Sequence, residues 1–259
     1  MTVSSPDPAV ARVLLQLADE PAPPGAGGLV SSLTRLCSAL VRHLPASGSG
    51  ISLVGEGQGS AGIAAAAGPE SRRLEELQFT LGEGPCLDAH AARRPMLEPD
   101  LAGAGSTRWP VYGPRAAQLG VGAVFAFPLQ VGAARVGVLD IYRKQAGPLS
   151  DEALATGFTF AEVALRLLLQ GQAEAPDGQA PAALTDALAY RMEVYQAQGI
   201  VMVDLQCGAD EALARLRGHA FATGRDITSV ARDVIDDTLH LPRDAPPERH
   251  ATDGPGSRP

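Results

Sequence analysis

The stretch Gly122–Tyr142, GAVFAFPLQVGAARVGVLDIY, decides the fold class. Its two apolar runs, Gly122–Gln130 and Ala134–Tyr142, are strand-like, and Val131-Gly132-Ala133 between them is tight enough for a hairpin. Toward the N-terminus, Gly50–Gly55 (GISLVG) and Ala61–Ala67 read as short strands around the Gly-rich turn EGQGS. Before them, Leu29, Leu33, Leu36, Leu40, Val41 and Leu44 recur at helical spacing. Pro69–Gln78 reads as a helix with Pro near its start and Leu74 and Leu77 among charges. Downstream, Ser150–Gln170 closes the unit as a helix, with Ser150 as N-cap and Asp151 and Glu152 in the first turn. This order predicts an α+β fold, an antiparallel sheet with helices on one side or on both. No βαβα run with a Gly-rich phosphate loop is present.

From Pro181 to Leu241 the alternation stops. Three helices are expected: Ala182–Val203, then Asp210–Phe221 after the break at Cys207-Gly208-Ala209, then Thr228–Leu241 after Thr223-Gly224-Arg225. Asp226 is the expected cap of the last. Leu213, Leu216, Ala220 and Phe221 share one face, as do Val230, Val234 and Leu241 with Ala231 beside them, which predicts an all-α three-helix bundle. So small a bundle buries a modest core, and dimer contacts are expected to add to it. Leu154, Phe158, Ala161, Leu165, Leu168 and Leu169 form a near-heptad stripe suited to a homodimer. The expected divisions are an N-terminal helix and linker (1–28), the α+β unit (29–170), a linker (171–181), the bundle (182–241) and a disordered tail (242–259). The tail has too few apolar residues to offset its ordering entropy.

Composition narrows the function classes. The chain has 259 residues and a net charge of −8, so it does not attract phosphate as a whole. Cys37, Cys86 and Cys207 are odd in number and widely spaced, which gives neither a disulfide framework nor a zinc pattern. The five histidines have no second ligand at metal spacing, and no metal site is expected. The N-terminus does not read as a signal peptide, and no apolar run reaches the roughly 20 residues of a membrane span. A cytoplasmic protein without membrane contact is the expectation. Asp140 lies in a strand-like run but lacks the acidic cluster of a receiver phospho-acceptor site. No G-x-S-x-G, P-loop, HExxH or CxxC occurs, and no catalytic residue is assigned; the chain is expected not to be an enzyme.

Two segments resemble known families. Leu77–Ala89, LQFTLGEGPCLDA, followed by Pro99–Leu101 (PDL), Arg108-Trp109-Pro110 and Phe127-Pro128-Leu129, resembles GAF domains of actinobacterial regulators. Tyr195–Val234, YQAQGIVMVDLQCGADEALARLRGHAFATGRDITSVARDV, resembles the ANTAR domain. Ala197, Gly199, Ile200, Met202, Ala212, Leu213, Leu216, Ala220, Arg225, Val230, Ala231 and Val234 carry that match. The resemblance implies a sensor domain that senses a signal or mediates dimerisation. It also implies an output domain that binds paired stem-loops in mRNA leaders and so prevents terminator formation.

Candidate site residues fall in both parts. Arg215, Arg217, Arg225, Thr228 and Arg232 are the candidate RNA contacts that the resemblance favours. Between Thr185 and Leu241, however, five arginines face nine carboxylates, the wrong sign for general phosphate attraction. A loop reader can tolerate that sign, because bases are read by hydrogen bonds and arginine stacking. The alternative is a solvated, salt-bridged surface. Glu83, Cys86 and Trp109 are the candidate ligand contacts. Against that, Gly82–Cys86 can be a turn that starts a short helix with Cys86 buried, and Trp109 can be a core or lid residue. No pattern selects a cofactor or a particular small-molecule ligand. Two other functions stand beside antitermination. One is a DNA-binding helix-turn-helix, disfavoured by Asp226, Asp233, Asp236 and Asp237 on its reading helix. The other is a ligand-binding or dimerisation module with no nucleic-acid partner.

Overall fold

The computed structural model describes residues 7–23, 27–54, 60–174 and 182–242. In chain order the elements are α1 (Pro8–Asp19), α2 (Gly28–His43), β1 (Gly48–Val54), β2 (Ser60–Ala67), α3 (Ser71–Leu81), α4 (Pro85–Ala92), β3 (Met96–Glu98), α5 (Ala104–Arg108), α6 (Tyr112–Gln118), β4 (Ala123–Val131), β5 (Ala134–Arg143) and α7 (Asp151–Ala173). Helices α8 (Ala182–Leu205), α9 (Ala209–Thr223) and α10 (Ile227–Ile235) follow. Of the linker expected at 171–181, the first three residues instead continue α7; residues 175–181, the expected turn EGQGS apart from Ser60, and the tail beyond residue 242 lie outside the described residues.

The five strands form one antiparallel sheet in the order β2-β1-β5-β4-β3. The hairpin closes where the sequence places it, with Val131 opposite Ala134. Strand alternation assigns the two faces. Ile51, Leu53, Phe125, Phe127, Leu139 and Ile141 point to a core shared with α1, α2 and α7. Val124 and Tyr142 point to the other face, where Leu74, Leu101, Trp109, Tyr112 and Ala116 cover them. Helices therefore flank both sides of the sheet. The closing helix begins as its sequence dictates: the Ser150 hydroxyl accepts from the Ala153 N–H at 3.2 Å. Part of the α7 stripe is spent on this core. Ala161 and Leu168 are buried in it, while Phe158 and Leu169 stay partly exposed.

The C-terminal helices bury Val194, Ala197, Val201, Ala212, Leu216, Ala220, Val230 and Ala231 against one another. Gly224 ends α9 in the left-handed region (φ 64°), and Asp226 caps α10 by accepting from the Thr228 N–H at 2.7 Å. One expectation needs correction. The last helix stops at Ile235 rather than reaching Leu241. Asp236 and Asp237 break it, Asp237 with a positive φ of 59°, and Leu241 returns to the bundle core after the turn.

Candidate functional site

The bundle is not separate from the sheet domain. Phe79, on α3, is 3% exposed and belongs to the apolar core of the bundle. From α9, the Arg217 Nε–H donates to the Phe79 carbonyl at 3.1 Å, and its guanidinium lies 5.5 Å from the Phe79 ring centroid. Burial lowers the Arg217 pKa, with the Tyr195 charge opposing that shift. A second stacked pair sits beside it: the Arg115 guanidinium of α6 lies 4.5 Å from the ring centroid of Phe221 on α9. Thr80, Gly82, Val111, Ala214, Arg217 and Phe221 line the cleft between the two units.

Gly82 and Gly84 explain why the GEGP turn needs its glycines. Gly82 ends α3 at φ 69°, a conformation that costs other residues strain, and its missing side chain leaves room for the Arg217 guanidinium. Gly84 has φ 142°, and a Cβ there would strike the Gln78 amide. Glu83 between them is a cap. One carboxylate oxygen accepts from the N–H groups of Val111 and Tyr112, at 2.7 and 2.6 Å, where α6 begins. Cys86 is 2% exposed in the first turn of α4, and its N–H donates to Gln78 Oε1 at 2.8 Å. Trp109 is 3% exposed, meets Tyr112 edge to face at 6.4 Å, and donates from Nε1 to Asp88 at 3.3 Å. The three candidate ligand contacts thus pack around the α3–α4 turn, each with a structural task.

Beneath that turn lies a buried polar cluster. The Ser52 hydroxyl donates to Glu75 Oε2 at 2.6 Å and the Tyr142 hydroxyl to Glu75 Oε1 at 2.8 Å. Gln78 Nε2 donates to Asp140 Oδ2 at 3.0 Å and to the Tyr142 oxygen at 3.3 Å. Burial pushes the Asp140 carboxyl well above the usual range, and the neighbouring Glu75 charge adds to the shift. Tyr112 and Tyr142 are raised for the same reasons. On the opposite face, burial pushes the Cys37 thiol up to about 12. Asp140 had been visible in the sequence only as an acid within a strand. Its partners Glu75 and Gln78 come from α3 and Cys86 from α4, far from Asp140 in the chain, so local spacing could not expose them.

The four candidate arginines are each engaged within the bundle or at the seam, and the fifth candidate RNA contact, Thr228, is buried. Arg215 pairs with Glu211 at 2.8 Å, Arg225 with Asp233 at 2.7 Å, and Arg232 of α10 with Glu193 of α8 at 2.8 Å. Arg217 is held against Phe79. Thr228 is 2% exposed, and its hydroxyl has no partner among the described residues. Arg225, just before α10, and Arg232, in its last turn, stand on partly exposed pairs, which are each worth about 0–1 kcal/mol and can be exchanged for another anion.

A sheet with helices on both faces and a buried polar centre forms one unit, and a three-helix unit docks on it. The chain belongs to the GAF domain family, whose model matches residues 30–168, and an ANTAR domain follows at residues 182–235. It is therefore a GAF–ANTAR two-domain regulator, combining a sensory with an RNA-binding domain type. No curated protein matches the chain. Among solved structures it is similar to the GAF domain of an Acinetobacter phosphoenolpyruvate-protein phosphotransferase, at 16% identity and TM-score 0.48, covering 65% of this chain and 95% of that one. The corresponding domain from Coxiella burnetii gives 15% identity and TM-score 0.47, covering 64% and 94%. A free methionine-R-sulfoxide reductase from Neisseria meningitidis gives 18% and 0.44, covering 66% and 97%. No helix among the described residues is long and apolar enough to cross a membrane.

Proposed function

We propose that this chain is a sensory antitermination regulator rather than an enzyme. Its C-terminal bundle binds stem-loops in nascent mRNA and so prevents terminator formation. The observation that carries the reading is the coincidence of the ANTAR match, residues 182–235, with a three-helix bundle whose Arg225 and Arg232 stand on exchangeable surface pairs. Arginine suits this task because its planar fork contacts phosphate bidentately and stacks on bases.

The sensor acts on the output domain through α3. That helix carries Glu75 and Gln78 into the sensor core and inserts Phe79, one turn on from Glu75, into the bundle. The docked form withholds Arg217, and a signal that shifts α3 frees it. The test is binding of the full chain, at matched salt, to a stem-loop RNA and to duplex DNA of the same sequence. Preference for the RNA supports the reading; equal or tighter DNA binding overturns it in favour of a helix-turn-helix.

A further inference from the structure

Two carboxylates, Glu75 and Asp140, lie 2% and 0% exposed in the sensor core. A carboxyl removed from water at such a place is neutralised either by a proton, the direction in which burial pushes Asp140, or by a bound cation. Glu75, Gln78, Cys86 and Tyr142 act on Asp140, and none of these four is a cation. One ligand atom from each of Glu75, Cys86 and Asp140 lies within 4.8 Å of the others. Two further polar atoms are left over. Asp140 Oδ1 and the Tyr112 hydroxyl are both buried and have no hydrogen-bond partner among the described residues. Tyr112 is 0% exposed, and the nearby acids Asp140 and Glu75 add to the rise in its pKa that burial causes.

We propose that Glu75, Cys86 and Asp140 form a site for one divalent transition-metal ion of the zinc class, with the Tyr112 hydroxyl beside it. The donor set selects the ion. A thiolate with two carboxylates suits a borderline cation in four-coordination, whereas calcium and magnesium take six or more oxygens. Bond lengths of about 2.3 Å to sulfur and 2.0–2.2 Å to oxygen place tetrahedral ligand atoms about 3.5 Å apart. The three ligand atoms, all within 4.8 Å of one another, therefore close by no more than about 1.3 Å around the ion.

The surroundings already orient the ligands. Ser52 and Tyr142 hold the Glu75 carboxylate, and Gln78 holds Asp140, as outer hydrogen bonds do around metal centres. Gly50 leaves the space that the Glu75 carboxylate occupies, since a Cβ there would strike it. The ligands come from α3, α4 and β5, so one ion ties three elements together.

Cobalt(II) is the probe, added to the chelator-treated full chain. The expected result is one equivalent bound, with a thiolate-to-cobalt charge-transfer band that zinc abolishes by displacement. The band is lost in Cys86→Ser, stays in Cys207→Ser and Cys37→Ala, and needs at least tenfold more cobalt in Asp140→Asn. The near-isosteric Asp140→Asn, checked for folding by circular dichroism, decides the matter should Cys86→Ser fail to fold. Absence of the band in the folded parent chain at millimolar cobalt overturns the proposal and leaves a proton shared by the acid pair. A band that follows Cys207 or Cys37, or is indifferent to Asp140→Asn, overturns it as well. None of these readouts involves RNA, so they stand apart from the antitermination test.

Discussion

Phe79→Ala is the perturbation that separates docking from folding. The side chain is 3% exposed and sits in the core of the bundle although it belongs to the sensor domain. Truncating a buried Phe costs about 3–5 kcal/mol, and losing the stacked guanidinium of Arg217 adds about 0.5–2 kcal/mol. The Arg217 hydrogen bond goes to the backbone carbonyl of residue 79 and survives the change. If about 3 kcal/mol of this falls on the docking equilibrium, that equilibrium moves roughly 150-fold toward the released bundle. The assays are amide exchange over α9 and stem-loop RNA affinity of the full chain. Faster exchange with tighter RNA binding is expected. Faster exchange with unchanged or weaker RNA binding refutes the idea that docking withholds Arg217. Arg115→Ala, which removes the cation over Phe221 from the sensor side, is the gentler control and shifts both readouts the same way by a few-fold.

Four further outcomes follow from named contacts. Arg225→Ala weakens RNA binding about ten- to hundredfold, yet moves stability by less than about 1 kcal/mol because its pair with Asp233 is partly exposed; unchanged affinity on the same sample removes it from the interface. Glu83→Ala strips one charged acceptor from the N–H groups of Val111 and Tyr112 and lowers stability by about 2 kcal/mol in urea titration; a loss under about 0.5 kcal/mol shows that water replaces it. His90 has its pKa lowered by burial and by Arg135 and Arg93, so its neutral form stabilises the fold above the ordinary value of 6.5, and that contribution is lost as pH falls through the lowered one. His90→Gln accordingly reduces the drop in melting temperature below pH 6.5, and an identical drop in both proteins counts against the assignment. Finally, Leu15 is 69% and Phe158 49% exposed, and a homodimer built on these faces of α1 and α7 is converted to monomer by the double change to Ser, as read by light scattering.

The elements with strong local signals were legible. The hairpin at Val131–Ala134 and the caps at Ser150 and Asp226 each arise from residues within a few positions of one another. Strand β3 and helices α5 and α6 were not read, because three to seven residues carry too little periodicity to show. The early stop of α10 was hidden because Leu241 keeps its burial without staying helical. At the site, the GEGP turn was conspicuous, but its reasons lie elsewhere in the chain: Glu83 caps a helix 28 positions on, and Gly82 clears space for Arg217. Contacts such as Gln78 with Asp140, 62 positions apart, leave no pattern in one sequence. A signal did exist in Asp140 itself, an acid between Leu139 and Ile141 in a strand covered on both faces.

The central claim is that the output domain reads RNA. Crosslinking the protein to RNA in growing cells and sequencing the bound fragments tests it most directly. Enrichment of paired short stem-loops just upstream of terminators, lost in Arg225→Ala, is the predicted result. Fragments without stem-loops, or recovery no greater than from a chain lacking residues 182–242, would contradict it.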